Sequence, residues 1–297
     1  MFTSLCIGNF DGVHKGHQAL IKRTYDYQKN NPGQVEKSLV LTFHPHPSEV
    51  ISGKAVPAIC SIEKRLQHIR EMGIDETHVL SFNKELSQMS ALEFLKEHIS
   101  PLNCRFIVVG KNFYFGKDRE GNTDFLVSWA KEQNIECEIF KPLQADGEVI
   151  SSSLIRSLID EGQCVRASRL LGRDFQVSAE VIHGEKKGRL LGFPTANMLP
   201  VNGQCLPKKG VYLSTSHFEK QSYASVTNVG VKPTLSKAGQ TLIESHLLDF
   251  DGDLYGKVLS VDFRDRLRDE RNFASIDELK QQIQIDTDKA RQILGLC

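Results

Sequence analysis

The sequence predicts an α/β plus β architecture: an open parallel sheet in the first half, then an antiparallel barrel followed by a terminal helix. Three observations carry this. Short apolar runs alternate with amphipathic stretches up to about residue 150, period-two alternation takes over after Gly172, and the chain closes on a capped amphipathic segment. At 297 residues it also exceeds what one hydrophobic core usually organises, so two domains are expected.

In the first half, SLCIG, SLVLTF, THVLSF, RFIVVG and ECEIF read as strands apolar on both faces. Between them HQALIKRTYDYQKN, IEKRLQHIREMG, SALEFLKEHI and TDFLVSWAKEQN show helical periodicity. Strand, helix, strand in repetition requires crossovers and hence a parallel sheet, with ligands bound beyond the carboxyl ends of its strands. Residues 152–171 read as two short helices linking a domain at 1–151 to one at 172–297. There QVSAEVIHG, GVYLSTSHF, SYASVTNVG, TLIESHLLDF and KVLSVDF alternate with period two, and FEKQ and DFDGD read as hairpin turns. Ser275 to Leu294 reads as a helix, with Ser275 and Glu278 at capping-box spacing.

Composition narrows the class of function. Lys+Arg and Asp+Glu are equal at 37 each, which gives no general pull toward nucleic acid or membrane. The seven cysteines are scattered with no CxxC pair, so neither a disulfide framework nor a cysteine-based zinc site is expected. The apolar runs are too short to cross a bilayer, and the N-terminus lacks the basic and apolar tract of a signal peptide. A cytoplasmic protein acting on small molecules is expected, with no nucleic-acid or membrane partner, as a monomer or weak homo-oligomer.

The first strand runs into GNFDGVHKGHQALI, a glycine-rich turn opening a helix near Gly16. Orphan N–H groups and the dipole at a helix N-terminus favour an anion. His14 and His17, three apart, can share one side of the first turn and donate to phosphate oxygens as charge builds on phosphorus. Gly16 lets a triphosphate approach the backbone closely. The plain alternative makes one histidine a helix cap and the other solvated. A dinucleotide site is disfavoured because no GxGxxG follows a strand. LTFHPHP fixes a loop holding His44 and His46, for which an exposed turn and a ligand role stand equally. VGKNFYFGKDREGN suits an aromatic ring and a mobile phosphate-facing loop with Lys117. ISSSLIR offers hydroxyls with Arg156 one turn on, or else a simple N-cap.

Together GNFDGVHKGH, TFHPHP, VGKNFYFG and ISSSLIR resemble the adenylyltransferase half of the prokaryotic bifunctional riboflavin kinase/FAD synthetases, a Rossmann-like nucleotidyltransferase domain. The resemblance implies that FMN is joined to the AMP part of ATP with release of pyrophosphate and with Mg²⁺. It implies that His14 and His17 bind ATP phosphates, with Gly8, Phe10, Asp11 and Gly16 around them. Asn112, Lys117 and Arg156 would line the nucleotide and FMN site, and Ser151, Ser152 and Ser153 would hold phosphate.

In the second half, HGEKKGRLLGFPTANM places Gly184 and Gly188 around a basic turn with Lys186 and Lys187, able to close over phosphates. Thr195 and Asn197 offer two oxygens on an extended backbone, a sensible pair for Mg²⁺ on ATP. In TLIESHLLDF, period two puts Glu244, His246 and Leu248 on one face and Ile243, Ser245 and Leu247 on the other. Glu244 is either a solvated glutamate or a general base on an alcohol. GFPTAN, KKGVY, TNVGVKPT, ESHLLDFDGDLYG and LRDERNF resemble the riboflavin kinase domain, a six-stranded barrel that phosphorylates riboflavin with MgATP. That resemblance makes Thr195 and Asn197 the nucleotide and magnesium residues, Glu244 the catalytic base, Gly184 and Gly188 part of a phosphate loop, and places Arg268 and Arg271 near the flavin. A cytidylyl- or pantetheine-type nucleotidyltransferase is the enzyme alternative, and a single-strand nucleic-acid module the non-enzyme one. PTAN and ESHLLDF count against the first, charge neutrality against the second.

Overall fold

The computed structural model describes residues 2–184, 188, 192–231 and 241–295. The chain divides into two compact units, Met1–Ser152 and Ser153–Cys297.

The first unit runs β1 (Thr3–Ile7), α1 (Lys15–Asn30), β2 (Lys37–His44), α2 (Pro47–Ser52), α3 (Ile62–Glu71), β3 (Glu76–Ser81), α4 (Lys84–Gln88), α5 (Ala91–Phe94), β4 (Cys104–Gly110), α6 (Thr123–Glu132) and β5 (Glu136–Phe140). A small hairpin, β6 (Gln144–Ala145) and β7 (Glu148–Val149), follows. All five predicted strands form, as one parallel sheet in the order β3-β2-β1-β4-β5. Alternate residues feed two cores, as a sheet covered on both faces requires. Leu5, Ile7, Leu39, Leu41, Ile107 and Val109 pack on Phe94, Leu126 and Trp129. Cys6, Val40, Phe106 and Val108 pack on Leu20 and Ile21 of α1 and Ile69 of α3. The strand order reverses between β1 and β4, so the loops leaving those two strands flank the crevice where such sheets bind ligands.

All but the first residue of α7 (Ser152–Asp160), and α8 (Cys164–Leu171), the helices predicted between the domains, belong to the second unit. They dock on the β domain: Ile159 O accepts from Lys208 N at 3.2 Å and Ser168 Oγ from Phe175 N at 3.1 Å. The barrel comprises β8 (Phe175–Ile182), β9 (Ala196–Met198), β10 (Gly210–Phe218), β11 (Gln221–Val231), β12 (Thr241–Leu247) and β13 (Val258–Arg268), closed in the order β10-β11-β12-β9-β8-β13. Period-two alternation finds five of these strands. The sixth, β9, is three residues long, too short for alternation to register, and lies within GFPTANM. FEKQ is the tight turn predicted, with Glu219 at φ 54° between β10 and β11. DFDGD is not a tight turn but part of a longer loop between β12 and β13.

Tyr212, Phe175 and Phe263 fill the barrel, beside five fully buried hydroxyls that satisfy one another. Ser214, Ser225, Ser216, Ser245 and Thr227 close a ring of hydrogen bonds at 2.7–2.9 Å, so no polar atom there is left without a partner. The terminal helix α9 (Ile276–Leu294) starts at Ser275, whose hydroxyl accepts from Glu278 N, the spacing predicted. Among the described residues no helix is long and apolar enough to cross a membrane.

Candidate active sites

In the first unit the turn after β1 is built around Phe10. Its ring is buried while its backbone sits in the left-handed region at φ 52°, a conformation that costs a non-glycine residue of order 1 kcal/mol. Gly8 permits this, because a Cβ there would stand 2.9 Å from the Phe10 ring. The strand is thereby turned sharply into α1, with His14 as its N-cap. His14 Nδ1 accepts from His17 N at 3.3 Å, which puts the proton of a neutral His14 ring on Nε2. The two imidazoles stack at 3.5 Å between centroids, and His17 also meets Phe10 edge-on at 5.3 Å. His14 therefore caps the helix and joins the pair as well. Gly16 admits this stack: a Cβ would lie 3.2 Å from the His14 ring. Burial, then the neighbouring His14 and Arg65, hold the His17 pKa well below the usual imidazole value, so the ring is neutral at neutral pH.

Asp11 is buried, and its carboxylate accepts the Ile59 N–H at 3.1 and 3.2 Å. Its carbonyl accepts from Ser152 Oγ at 3.0 Å, which ties the ISSS segment to the turn. Ser151 and Ser152 are half-buried there. Among the described residues, three buried polar atoms of this region have no hydrogen-bond partner: Asn9 Oδ1, His17 Nδ1 and Arg65 Nε. Such atoms are costly in a folded protein unless a ligand satisfies them.

Other predicted residues spread along the same edge. His44 ends β2, exposed, and His46 caps α2 by accepting from Ser48 N at 3.2 Å. Asn112 and Lys117 are exposed on the loop after β4. Within that loop Phe115 is buried against Phe94, and Gly116 sits so close to Ala91 that a Cβ would meet its nitrogen at 2.6 Å. Ser153 and Arg156 lie on α7, in the second unit.

In the second unit β9, β12 and β11 bring Asn197, Glu244 and Asn228 into one cross-strand row. Asn197 is buried, and its Oδ1 lacks a partner among the described residues. Gly184 lies against that side chain, where a Cβ would come within 2.4 Å, and Gly188 lies against Thr195, 3.3 Å from Oγ1 by the same measure. The glycines expected in a phosphate loop thus lie against the two side chains expected to bind magnesium. An orphaned amide oxygen, a threonine hydroxyl and a nearby carboxylate form a hard-oxygen set that fits Mg²⁺. Lys186, Lys187 and the KPT of TNVGVKPT lie outside the described residues. A cavity of about 420 Å³ opens here, lined by Thr195, Asn197, Gly188, Phe250, Asp251 and Tyr255 among others. Asn228 Nδ2 stands 3.5 Å from both Glu244 Oε2 and Glu270 Oε1. His246 Nδ1 meets the Pro194 carbonyl at 2.7 Å and so tethers the start of PTAN, just before β9. Arg268 grips Asp286 of α9 at 2.8 and 2.9 Å, and Arg271 bonds Gln282 and stacks over Phe273 at 4.8 Å. Both arginines engage the terminal segment.

Comparison with known proteins decides the lineage. The family model described as FAD synthetase matches residues 2–154, and the model described as riboflavin kinase matches 171–294. A relative from Pseudomonas fluorescens, named a bifunctional riboflavin kinase/FMN adenylyltransferase, is 37% identical over 97% of this chain and 91% of its own. The chain belongs to the bifunctional riboflavin kinase/FMN adenylyltransferase family. Members from Escherichia coli K12 and Bacillus subtilis, so named, are 35% and 34% identical over 98% and 96% of this chain and 93% and 90% of theirs. A solved structure from Streptococcus pneumoniae, described as a macrolide-efflux protein, superposes with TM-score 0.87 at 28% identity over 98% of this chain and 94% of that one.

Within this family fold, sequence reasoning missed Arg65, Asn228, Glu270 and the Asp251 loop. Arg65 sits in an ordinary amphipathic helix pattern, and Asn228 in an alternating strand. Only the register, which sequence does not give, sets Asn228 beside Glu244.

Proposed function

We propose that this chain carries out two ATP-dependent steps at separate sites, riboflavin to FMN in the barrel and FMN to FAD in the parallel-sheet unit. The observation that carries it is that, among the described residues, each unit presents its own buried, unpartnered polar atoms, His17 Nδ1 in the stretch matched by the FAD synthetase model and Asn197 Oδ1 in the stretch matched by the riboflavin kinase model.

In the first unit an FMN phosphate oxygen attacks the α-phosphorus of ATP. The bond to the β-phosphate oxygen breaks, and pyrophosphate leaves. His14, through Nε2–H, and His17 donate to the phosphate oxygens as negative charge builds, while the N-terminus of α1 favours the anion. Gly8, Phe10, Asp11 and Gly16 shape the turn, Ser151 and Ser152 take phosphate, and Asn112 and Lys117 face the nucleotide and flavin.

In the second unit Glu244 accepts the proton of the riboflavin hydroxyl as its oxygen attacks the γ-phosphorus, and ADP leaves. Thr195 and Asn197 hold magnesium, which when bound neutralises charge on the phosphates. Gly184 and Gly188 let the backbone close on ATP. Arg268 and Arg271 orient the segment next to the flavin from their bonds to the terminal helix. A reducing cytoplasm suits the free cysteines, and burial pushes the Cys104 thiol up to about 11.

Incubation with riboflavin and MgATP, followed by chromatography, tests the assignment. FMN appears first and FAD second, and omission of magnesium stops both. FMN without FAD, or neither product, contradicts it.

A further inference from the structure

We propose that Arg65 supplies the positive charge that holds the pyrophosphate leaving group of the adenylylation step. The proposal rests on the reading that the turn after β1 binds the ATP phosphates. A triphosphate brings several negative charges, and His17, neutral at neutral pH, offers it a hydrogen bond but no charge. Arg65 is the only lysine or arginine buried among the described residues, at 4% exposure.

Its environment leaves it poorly matched. Nη1 donates to the Phe43 carbonyl at 3.1 Å, near the carboxyl end of β2, the edge where ligands bind. The Asp11 carboxylate stands 4.0 Å from Nη2, beyond hydrogen-bond range, and that carboxylate already accepts the Ile59 N–H. Nε has no partner. A buried guanidinium held to its carboxylate only by a loose 4.0 Å ion pair, with Nε unpartnered among the described residues, is a costly arrangement for stability alone. It is an apt one for a fork that takes phosphate oxygens two at a time. Asn9 Oδ1 and His17 Nδ1, also unpartnered, belong to the same turn.

The rival account is that Arg65 merely ties α3 to the turn through Asp11. Running adenylylation backwards in the full chain separates the two. A pyrophosphate oxygen attacks the AMP phosphorus of FAD, the bond to the FMN phosphate oxygen breaks, and ATP and FMN are released. Arg65→Gln is expected to raise the KM for pyrophosphate at least about tenfold and to lower kcat/KM about a hundredfold. Arg65→Lys, which keeps the cation but not the fork, should recover part of this. Riboflavin phosphorylation by the other unit should stay within about twofold for both. A pyrophosphate KM within about twofold of the parent in Arg65→Gln overturns the proposal. So does an equal loss of kcat in both variants at unchanged KM. If Arg65→Gln loses the circular dichroism and thermal transition of the first unit, Arg65→Lys decides: a raised KM supports the proposal and an unchanged one overturns it. His17→Ala locates a failure. Exchange that survives it sinks the underlying site reading. Exchange abolished by it but normal in Arg65→Gln sinks only the role of Arg65.

Discussion

Replacement of His17 by alanine should abolish FAD formation while FMN accumulates from riboflavin. The ring lies in the turn after β1, stacked on His14 and set edge-on to Phe10, and its Nδ1 has no partner among the described residues. A preorganised donor of this kind contributes most where charge develops. Its loss should cost on the order of a hundredfold or more in the rate of adenylylation. His17→Asn, which keeps a donor on a shorter side chain, should fall between the two. The barrel has its own core, so riboflavin phosphorylation should be unchanged, which guards against simple unfolding. Loss of both activities from His17→Ala in a chain that retains both thermal transitions would falsify the two-site account.

The mirror-image result is expected from Glu244. Glu244→Gln keeps the shape of the side chain on β12 and its place between Asn197 and Asn228, but removes the base. Riboflavin phosphorylation should drop by about 10²–10⁴-fold, mainly in kcat. FAD formation from supplied FMN should persist at the parent rate. Chromatography of both reactions on the one purified variant checks this. If phosphorylation persists in Glu244→Gln, Glu244 is the solvated residue of the plain reading.

Much of the fold was legible because its signals are local. Five apolar runs became the five parallel strands, and alternation found five of the six barrel strands. The imidazole pair was legible from HxGH because helical spacing alone puts residues three apart on one side. What escaped depends on distant partners. β9 is defined by its pairing with β8 and β12, not by its own three residues. Asp11 reads as a ligand residue in the motif, yet its carboxylate spans 48 positions to Ile59, a contact invisible before folding. The two C-terminal arginines likewise face Asp286 and Gln282, residues that only the docking of α9 brings near. Arg65 needed burial to stand out, since nothing in IEKRLQHIREMG distinguishes it from its exposed neighbours.

A crystal structure of the full chain with a non-hydrolysable ATP analogue tests the central claim most directly. The analogue should occupy the crevice at the start of α1, with phosphate oxygens within hydrogen-bond distance of His14 and His17. A nucleotide bound in the first unit with both imidazoles turned away from its phosphates would contradict the account.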